Sequence, residues 1–180
     1  MACLRLFAQG SMRQETAHPG ETMIEIKQAM PVLARHEGVW DGWYRTFDGA
    51  GRRVDEHRSR LVCRFPTSGP YPYHQTNHYT WPDGRVEIRD FPATFRDGRV
   101  WFDTELITGW AAEVDLDAFR RTVMLYWERR GEPGLHLYEM IQISDCGRFR
   151  CRTWQWIRDG RIQQRTLIDE EKVADGWEGY

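Results

Sequence analysis

Apolar and polar residues alternate along most of the chain from Val39 onward, and short turn sequences rather than helical stretches cut the alternation. A period of two marks strands with one face buried and one wet. Three of the cuts are Asp-Gly pairs, at Asp83-Gly84, Asp97-Gly98 and Asp159-Gly160. Such a pair is a strong hairpin signal, because a type I′ turn needs positive φ at both central positions. Further cuts fall at Asp48-Gly49-Ala50-Gly51, Gly131-Glu132-Pro133-Gly134 and Asp145-Cys146-Gly147. The pattern predicts ten strands, over 39–47, 53–65, 74–81, 85–91, 99–106, 109–116, 121–129, 135–143, 148–158 and 161–170. Ahead of them, 23–35 predicts a short amphipathic helix with Ile24, Ile26, Met30 and Leu33 on it, interrupted by Pro31. Ten hairpin-linked strands without helical crossovers make an all-β antiparallel up-and-down barrel, whose closure removes exposed edges; a two-sheet sandwich is the alternative. A single domain over 23–180 follows, preceded by a loose segment 1–22 that holds Pro19 and Gly20 in a polar stretch.

Each turn also fixes which residues face each other. A two-residue turn at Asp83-Gly84 sets Trp81 opposite Val86, Tyr79 opposite Ile88 and Asn77 opposite Asp90 on an inner face. His74, Thr76, His78, Thr80, Glu87 and Arg89 then face solvent. At Asp97-Gly98 the inner face gathers Phe91, Ala93, Phe95, Val100, Phe102 and Leu106. A three-residue turn at Asp145-Cys146-Gly147 sets Ile141 opposite Cys151, Glu139 opposite Thr153 and Leu137 opposite Gln155. Asp159-Gly160 continues the series, with Gln155 opposite Gln164 and Thr153 opposite Thr166.

On this register the interior of the later strands is Leu135, Leu137, Ile141, Ile143, Phe149, Ile157, Ile162 and Ile168. A polar band of Tyr126, Glu139, Thr153, Gln155, Gln164 and Thr166 crosses it. The opposite face carries Trp127, His136, Tyr138, Arg152, Trp154, Trp156 and Arg165, and turned inward would make an aromatic, cationic pocket for an anionic ring compound. Because that face also holds Gln142, Arg150 and Arg158, it is placed outside, as a homodimer interface or the seat of a packed helix.

Composition narrows the partners. With 25 basic and 27 acidic residues among 180, a net charge of -2 provides no field for nucleic acid or anionic membrane. Nine Trp, seven Tyr and eight Phe fit strands and an apolar cavity alike, so the expected partner is a hydrophobic or aromatic small molecule. Cys3, Cys63, Cys146 and Cys151 form no C-x-x-C pair and no zinc spacing, which fits reduced thiols in a cytoplasm. No apolar run approaches the roughly 18 residues of a membrane span, and Met1 to Gly10 is too weakly apolar for a secretory signal.

Glu139 is the candidate that stands out. A carboxylate inside an apolar wall must be hydrogen-bonded, protonated or wet, so Glu139 is a functional acid, a core group held by Tyr126 and Thr153, or a residue at a wet barrel mouth. His57 shares the less charged face of its strand with Asp55, Ser59, Leu61, Cys63 and Phe65, and is either an internal acid or base or a core histidine bonded to a neighbour. His74 and His78 lie about 13 Å apart along a strand, too far for one metal, so no metal and no cofactor are expected. No G-x-S-x-G, Walker loop or G-x-G-x-x-G occurs, which disfavours triad hydrolase and nucleotide chemistry.

A Gly-x-Trp on the first strand, Gly38-Val39-Trp40, after a short helical turn, resembles the opening motif of the lipocalin-like (calycin) barrels. The longer string His36-Glu37-Gly38-Val39-Trp40, Phe47-Asp48, Gln75-Thr76-Asn77-His78-Tyr79, Trp101-Phe102-Asp103-Thr104 and Arg165-Thr166-Leu167-Ile168-Asp169-Glu170 is similar to an uncharacterised bacterial family distantly related to the phycobilin lyases. The resemblance spans roughly 36–173 and implies that Trp40 closes the barrel floor under an Arg of the last strand, for which Arg165 is the match. The glycine-rich first strand and late proximal His of the heme-binding members are missing.

Two functions from different classes fit. One is a cofactor-free isomerase, cyclase or lyase working by proton transfer, with Glu139 and His57 as acid and base and Tyr126 and Asn77 bonded to an enolate or carbonyl oxygen. In it Tyr79, Trp81 and Phe102 hold the ring, and Thr153 and Gln155 complete the substrate contacts. The other is a non-catalytic binding protein or chaperone using the same band to orient its ligand.

Overall fold

A computed structural model of the protein describes residues 25–116 and 118–180. The segment expected to be loose, 1–22, lies outside the described residues, as does the start of the expected helix. Residues 25–29 are helical, Met30 breaks the run ahead of Pro31, and a second short helix, α1, spans Pro31–Ala34. Ten strands follow: β1 Gly38–Asp48, β2 Arg53–Arg64, β3 Tyr73–Thr80, β4 Val86–Arg96, β5 Arg99–Asp103, β6 Ile107–Val114, β7 Thr122–Arg129, β8 Leu135–Ile143, β9 Phe149–Arg158 and β10 Arg161–Ala174. Every neighbouring pair is antiparallel, and β1 pairs with β10 to close an up-and-down barrel.

The helical segment covers the end of the barrel at which β1 starts and β10 finishes. Ile26, Met30, Val32 and Leu33 are buried there. Leu33 N–H donates to Glu113 of β6 at 2.8 Å, and Lys172 Nζ of β10 donates to the Arg35 carbonyl at 3.0 Å. Trp40 is fully buried beneath it and donates its indole N–H to the His36 carbonyl at 2.9 Å. The cations over its ring are Arg150 of β9, at 4.2 Å from the centroid, and Lys172, at 5.1 Å. Arg165, the match from the resemblance, is instead exposed on the outer wall.

Two of the Asp-Gly turns behave as predicted. Asp97 and Gly98 have φ of 53° and 69°, Asp159 and Gly160 have 50° and 75°, and each pair closes a two-residue loop between flanking arginines. Asp83-Gly84 differs, because Pro82 joins the loop. Trp81 pairs with Arg85 rather than Val86, with hydrogen bonds of 2.9 Å from its N–H to the Arg85 carbonyl and 3.0 Å from Gly84 N–H to its own carbonyl. The extra residue turns β4 over: Glu87, Arg89 and Phe91 face inward, while Val86 and Ile88 lie outside, 61% and 58% exposed. Asn77 and Tyr79 remain inside, now opposite Arg89 and Glu87.

The loop after β8 is also one residue longer than the expected three. Ser144 N–H donates to the Phe149 carbonyl at 2.8 Å, which leaves Asp145 to Arg148 as the loop and sets Ile141 opposite Arg152 instead of Cys151. All of β9 is thereby rotated by one face, because side chains alternate with period two. Arg150, Arg152 and Trp154 are buried, whereas Phe149 is 53% exposed and Thr153 and Gln155 lie on the outer wall. A bulge between Ile162 and Gln164 shifts the register once more, so Thr166 and Ile168 face inward as expected while Ile162 is exposed.

Candidate functional site

From floor to mouth, the inner side of β9 presents Arg150, Arg152, Trp154 and Trp156, and these four organise the interior. Arg150 pairs with Glu170 of β10 through its Nε. Its NH1 donates to His36 Nδ1 at 3.1 Å and lies 3.8 Å from Cys63 Sγ. A guanidinium has no lone pair to offer, so His36 Nδ1 is the acceptor and its proton sits on Nε2, which is buried without a partner. Burial, followed by the charges of Arg150 and Arg152, holds the His36 pKa well below the ordinary histidine range.

One layer up, Arg152 Nε donates to Glu139 Oε1 at 2.5 Å, its NH1 donates to the Tyr44 hydroxyl at 3.1 Å, and the same nitrogen is 3.6 Å from Glu170. Glu139 is thus a core group, as one of the three sequence alternatives had it, but its partner is Arg152 rather than Tyr126 or Thr153. Two arginines and two glutamates form a neutral buried network, and only such pairing makes four charges tolerable away from water. Gly42 gives it room. A Cβ there would stand 2.6 Å from Glu170 Cγ and 2.3 Å from the Asp169 carbonyl oxygen.

Above the network lies an inner cavity of about 60 Å³, lined by Phe102, Val100, Ile107, Leu125 and Trp127 with Asn77, Tyr79 and Glu139 on the polar side. At roughly 10–15 Å³ per water it has room for a few waters or one small polar group. The Asn77 amide is already engaged: its Oδ1 accepts from Gln75 at 2.8 Å and its Nδ2 donates to the Tyr79 hydroxyl at 2.7 Å. Tyr79, Arg89, Trp154 and Trp156 line both this cavity and a cleft of about 370 Å³ at the open end of the barrel, so the two spaces adjoin. The cleft falls within the range of small-molecule sites.

His57 and Trp81 belong to that mouth. His57 Nδ1 is 2.7 Å from Asp55 Oδ2, and Asp55 Oδ1 accepts the Trp81 indole N–H at 2.9 Å. The imidazole stacks on Tyr44 with centroids 5.1 Å apart and meets Tyr79 edge-on at 5.1 Å. Burial lowers the His57 pKa, and the hydrogen bond and charge of Asp55 pull it back up. Of the sequence candidates, Glu139, Asn77, Tyr79 and Phe102 meet in the cavity, and His57 and Trp81 meet in the mouth.

Tyr126, Thr153 and Gln155 do not reach the site. Tyr126 pairs with Tyr138 on the outer wall, not with Glu139, and donates to Glu128 at 2.7 Å; partial burial and that carboxylate push its phenol up to about 12. Thr153 and Gln155 left with the rotation of β9. Arg152, Trp154, Trp156, Arg89 and Asp55 line the cavity or the mouth without being among the expected site residues. Two signals point to them: the aromatic, cationic face of Arg152, Trp154 and Trp156, which the expected register places outside and which β9 turns inward, and Asp55, two residues before His57 on the same face. Among the described residues no group of three or more His, Cys, Asp or Glu is placed to hold a metal ion, and no helix is long and apolar enough to cross a membrane.

No family model and no curated protein matches the sequence. Solved structures match its fold. The S-type phycobiliprotein lyase CPES from Guillardia theta superposes with a TM-score of 0.62 at 12% identity, over 86% of this chain and 94% of that one. A protein of unknown function from the DUF3598 family of Nostoc punctiforme gives 0.60 at 17% identity over 78% of this chain, which spans 49% of that longer one. Rv2717c from M. tuberculosis gives 0.55 at 15% identity, over 80% and 96% of the two chains. The fold is therefore that of the lipocalin-like barrels, and it is shared with a phycobiliprotein lyase.

Proposed function

We propose that this barrel binds a small, flat, aromatic or conjugated molecule in its open mouth. The observation that carries the proposal is the cleft of about 370 Å³ walled by Tyr44, His57, Tyr79, Trp81, Trp154 and Trp156. Rings at these positions offer faces and edges for stacking while their polar tips stay within reach of a ligand. The enclosed floor and the small inner cavity leave the mouth as the place where a ligand fits. Likeness to a phycobiliprotein lyase supports a chromophore-like ligand for this chain as well.

N-phenyl-1-naphthylamine, a neutral fluorescent probe, tests it. The probe should bind saturably at one site, and Trp81→Ala should weaken it while Trp101→Ala on the outer wall leaves it unchanged. Failure to saturate, or equal loss in both variants, would remove the mouth as a binding site.

A second function, cofactor-free proton transfer of the isomerase, cyclase or lyase type, is favoured by the Asp55–His57 pair. A carboxylate on Nδ1 orients the ring and leaves Nε2, which makes no hydrogen bond among the described residues, facing work as a base. Glu139 is not available for that role while Arg152 holds it. Deuterium incorporation into 2-indanone, an enolisable ring ketone, reports the step; His57→Gln should slow it by at least ~100-fold. Exchange no faster than in buffer would leave binding alone.

A further inference from the structure

We infer that the ligand carries an acidic oxyanion group, a carboxylate or sulfonate, held between the guanidinium groups of Arg89 and Arg129 where the inner cavity opens into the mouth. The inference rests on the binding function proposed above and adds the charge of what is bound.

Three guanidinium groups, those of Arg89, Arg129 and Arg152, line the inner cavity against one carboxylate, Glu139. Arg152 is fully engaged with Glu139, Tyr44 and Glu170. Arg89 and Arg129 are not. Arg89 donates from Nε to Glu87 at 2.5 Å, and its terminal nitrogens make no hydrogen bond among the described residues. Among the described residues the Arg129 side chain has one polar contact, an ion pair of 3.5 Å with Glu132. A guanidinium has five N–H donors, so most of the donors on this pair make no hydrogen bond among the described residues, and both side chains line the lumen.

In each pair the counter-ion is the more exposed partner. The side chains of Glu87 and Glu132 are 39% and 43% exposed, against 27% and 20% for Arg89 and Arg129. Their charges are screened by water, while the arginines look into a partly dry space. The two cations also feel each other: burial first, and then the charge of Arg89, lowers the pKa of Arg129. Two like charges directed into one lumen are relieved by an anion between them, and the planar fork of arginine suits a flat oxyanion better than a diffuse one.

A third donor stands nearby. Trp154, 8% exposed and lining both spaces, has an indole N–H with no hydrogen-bond partner. A buried polar group without a partner is uncommon in a folded protein, and here it lies where a ligand would supply the acceptor. Both arginines reach the lumen only because of local register. The three-residue loop at Pro82-Asp83-Gly84 turns Arg89 inward, and Arg129 continues the inward series of Leu125 and Trp127.

A matched pair of probes separates charge from shape. N-phenyl-1-naphthylamine and 8-anilinonaphthalene-1-sulfonate share a ring system and differ by the sulfonate. The sulfonate should bind the wild-type protein at least ~10-fold tighter, the scale of one charge-assisted hydrogen bond, and the advantage should shrink as salt is added. Arg129 does not line the mouth, so Arg129→Gln should remove most of the advantage while leaving the neutral probe and the near-UV circular dichroism unchanged. Arg89→Gln should also remove most of the advantage. Equal affinity of the two probes for the wild-type protein, or an advantage insensitive to salt, would overturn the inference and leave the binding function standing. Binding of neither probe would bring down the binding function itself. Should one variant fail to fold, the other and the wild-type salt series still decide.

Discussion

Arg150 lies over the ring of Trp40, with its guanidinium carbon 4.2 Å from the ring centroid and its Nε joined to Glu170. One side chain thereby ties the floor of the barrel to the charged layer above it. The floor aromatic and the ionic network are a single packed unit, and most of what can be tested about this fold concerns how its parts depend on each other.

Trp40→Ala removes the ring from a site with no solvent exposure and strands Arg150 above a void. The expected loss is about 3–5 kcal/mol in equilibrium denaturation. A variant within 1 kcal/mol of wild type would mean that the floor rests on the helical segment alone.

Glu139→Gln keeps the shape of the side chain but leaves Arg152 as a buried charge with one fewer counter-ion. Breaking a pair of this kind costs about 3–5 kcal/mol. Replacing both partners, as Glu139→Leu with Arg152→Met, should cost less than the sum of the two single changes. Additive losses in that double-mutant cycle would show the two residues to be energetically independent despite their 2.5 Å contact.

Acid should destabilise the protein through His36. Its folded pKa lies below the unfolded value of about 6.5, so the unfolded chain takes up the proton first. The stability linked to it is complete above about pH 6.5 and is lost as pH falls through the folded value; His57 shifts in the same direction. Thermal midpoints should therefore drop between about pH 7 and pH 5, with a shallower fall in His36→Gln. A midpoint flat across that range would contradict the tautomer and burial assigned to this ring.

Gly42→Ala tests the space left for Glu170. The added methyl would meet the Asp169 carbonyl oxygen and Glu170 Cγ at well under contact distance. Overpacking of a dense core typically costs about 1–3 kcal/mol, and the change should also sensitise the protein to Glu139→Gln. An alanine variant as stable as wild type would require the β1–β10 seam to be looser than its register implies.

Turns that depend on their own residues were legible in the sequence. Asp97-Gly98 and Asp159-Gly160 adopt the expected loops because Gly and Asp tolerate positive φ locally. The strand count, Trp40 from the Gly-x-Trp motif, Phe102 from Asp97-Gly98, and the inward positions of Asn77, Tyr79 and Glu139 were also legible, the last three although the turns they were read from are each one residue longer than expected. What failed was counting to within one residue. Pro82 joins one loop, Arg148 another, and Gln163 sits at a bulge, and each of these single residues shifts the facing of the strand that follows: the start of β4, all of β9, and, by undoing the β9 shift, the rest of β10.

The reversals matter most at β9. Arg150 and Arg152 read as surface residues because an arginine is seldom buried unless it is paired, and their partners lie on β8 and β10. Pairing between strands is a property of the assembled barrel, invisible to the alternation within one strand. Asp55 was legible beside His57 on one face, but its bond to a Trp81 indole 26 positions away was not.

The seam between β1 and β10 also says something about how the protein comes into being. The hydroxyls of Thr46 and Thr166 meet at 2.9 Å across a sequence separation of 120 residues. A ribosome must release the chain through β10 before that meeting can occur, and until then β1 waits with one side unpaired. Such distant pairings form slowly, because loop entropy is lost before any contact compensates for it. Arg150, Arg152, Glu139 and Glu170 sit on β8, β9 and β10 and can pair before the seam forms, but only a closed wall keeps water from them. Closing the seam is therefore also what makes an interior out of a curved sheet.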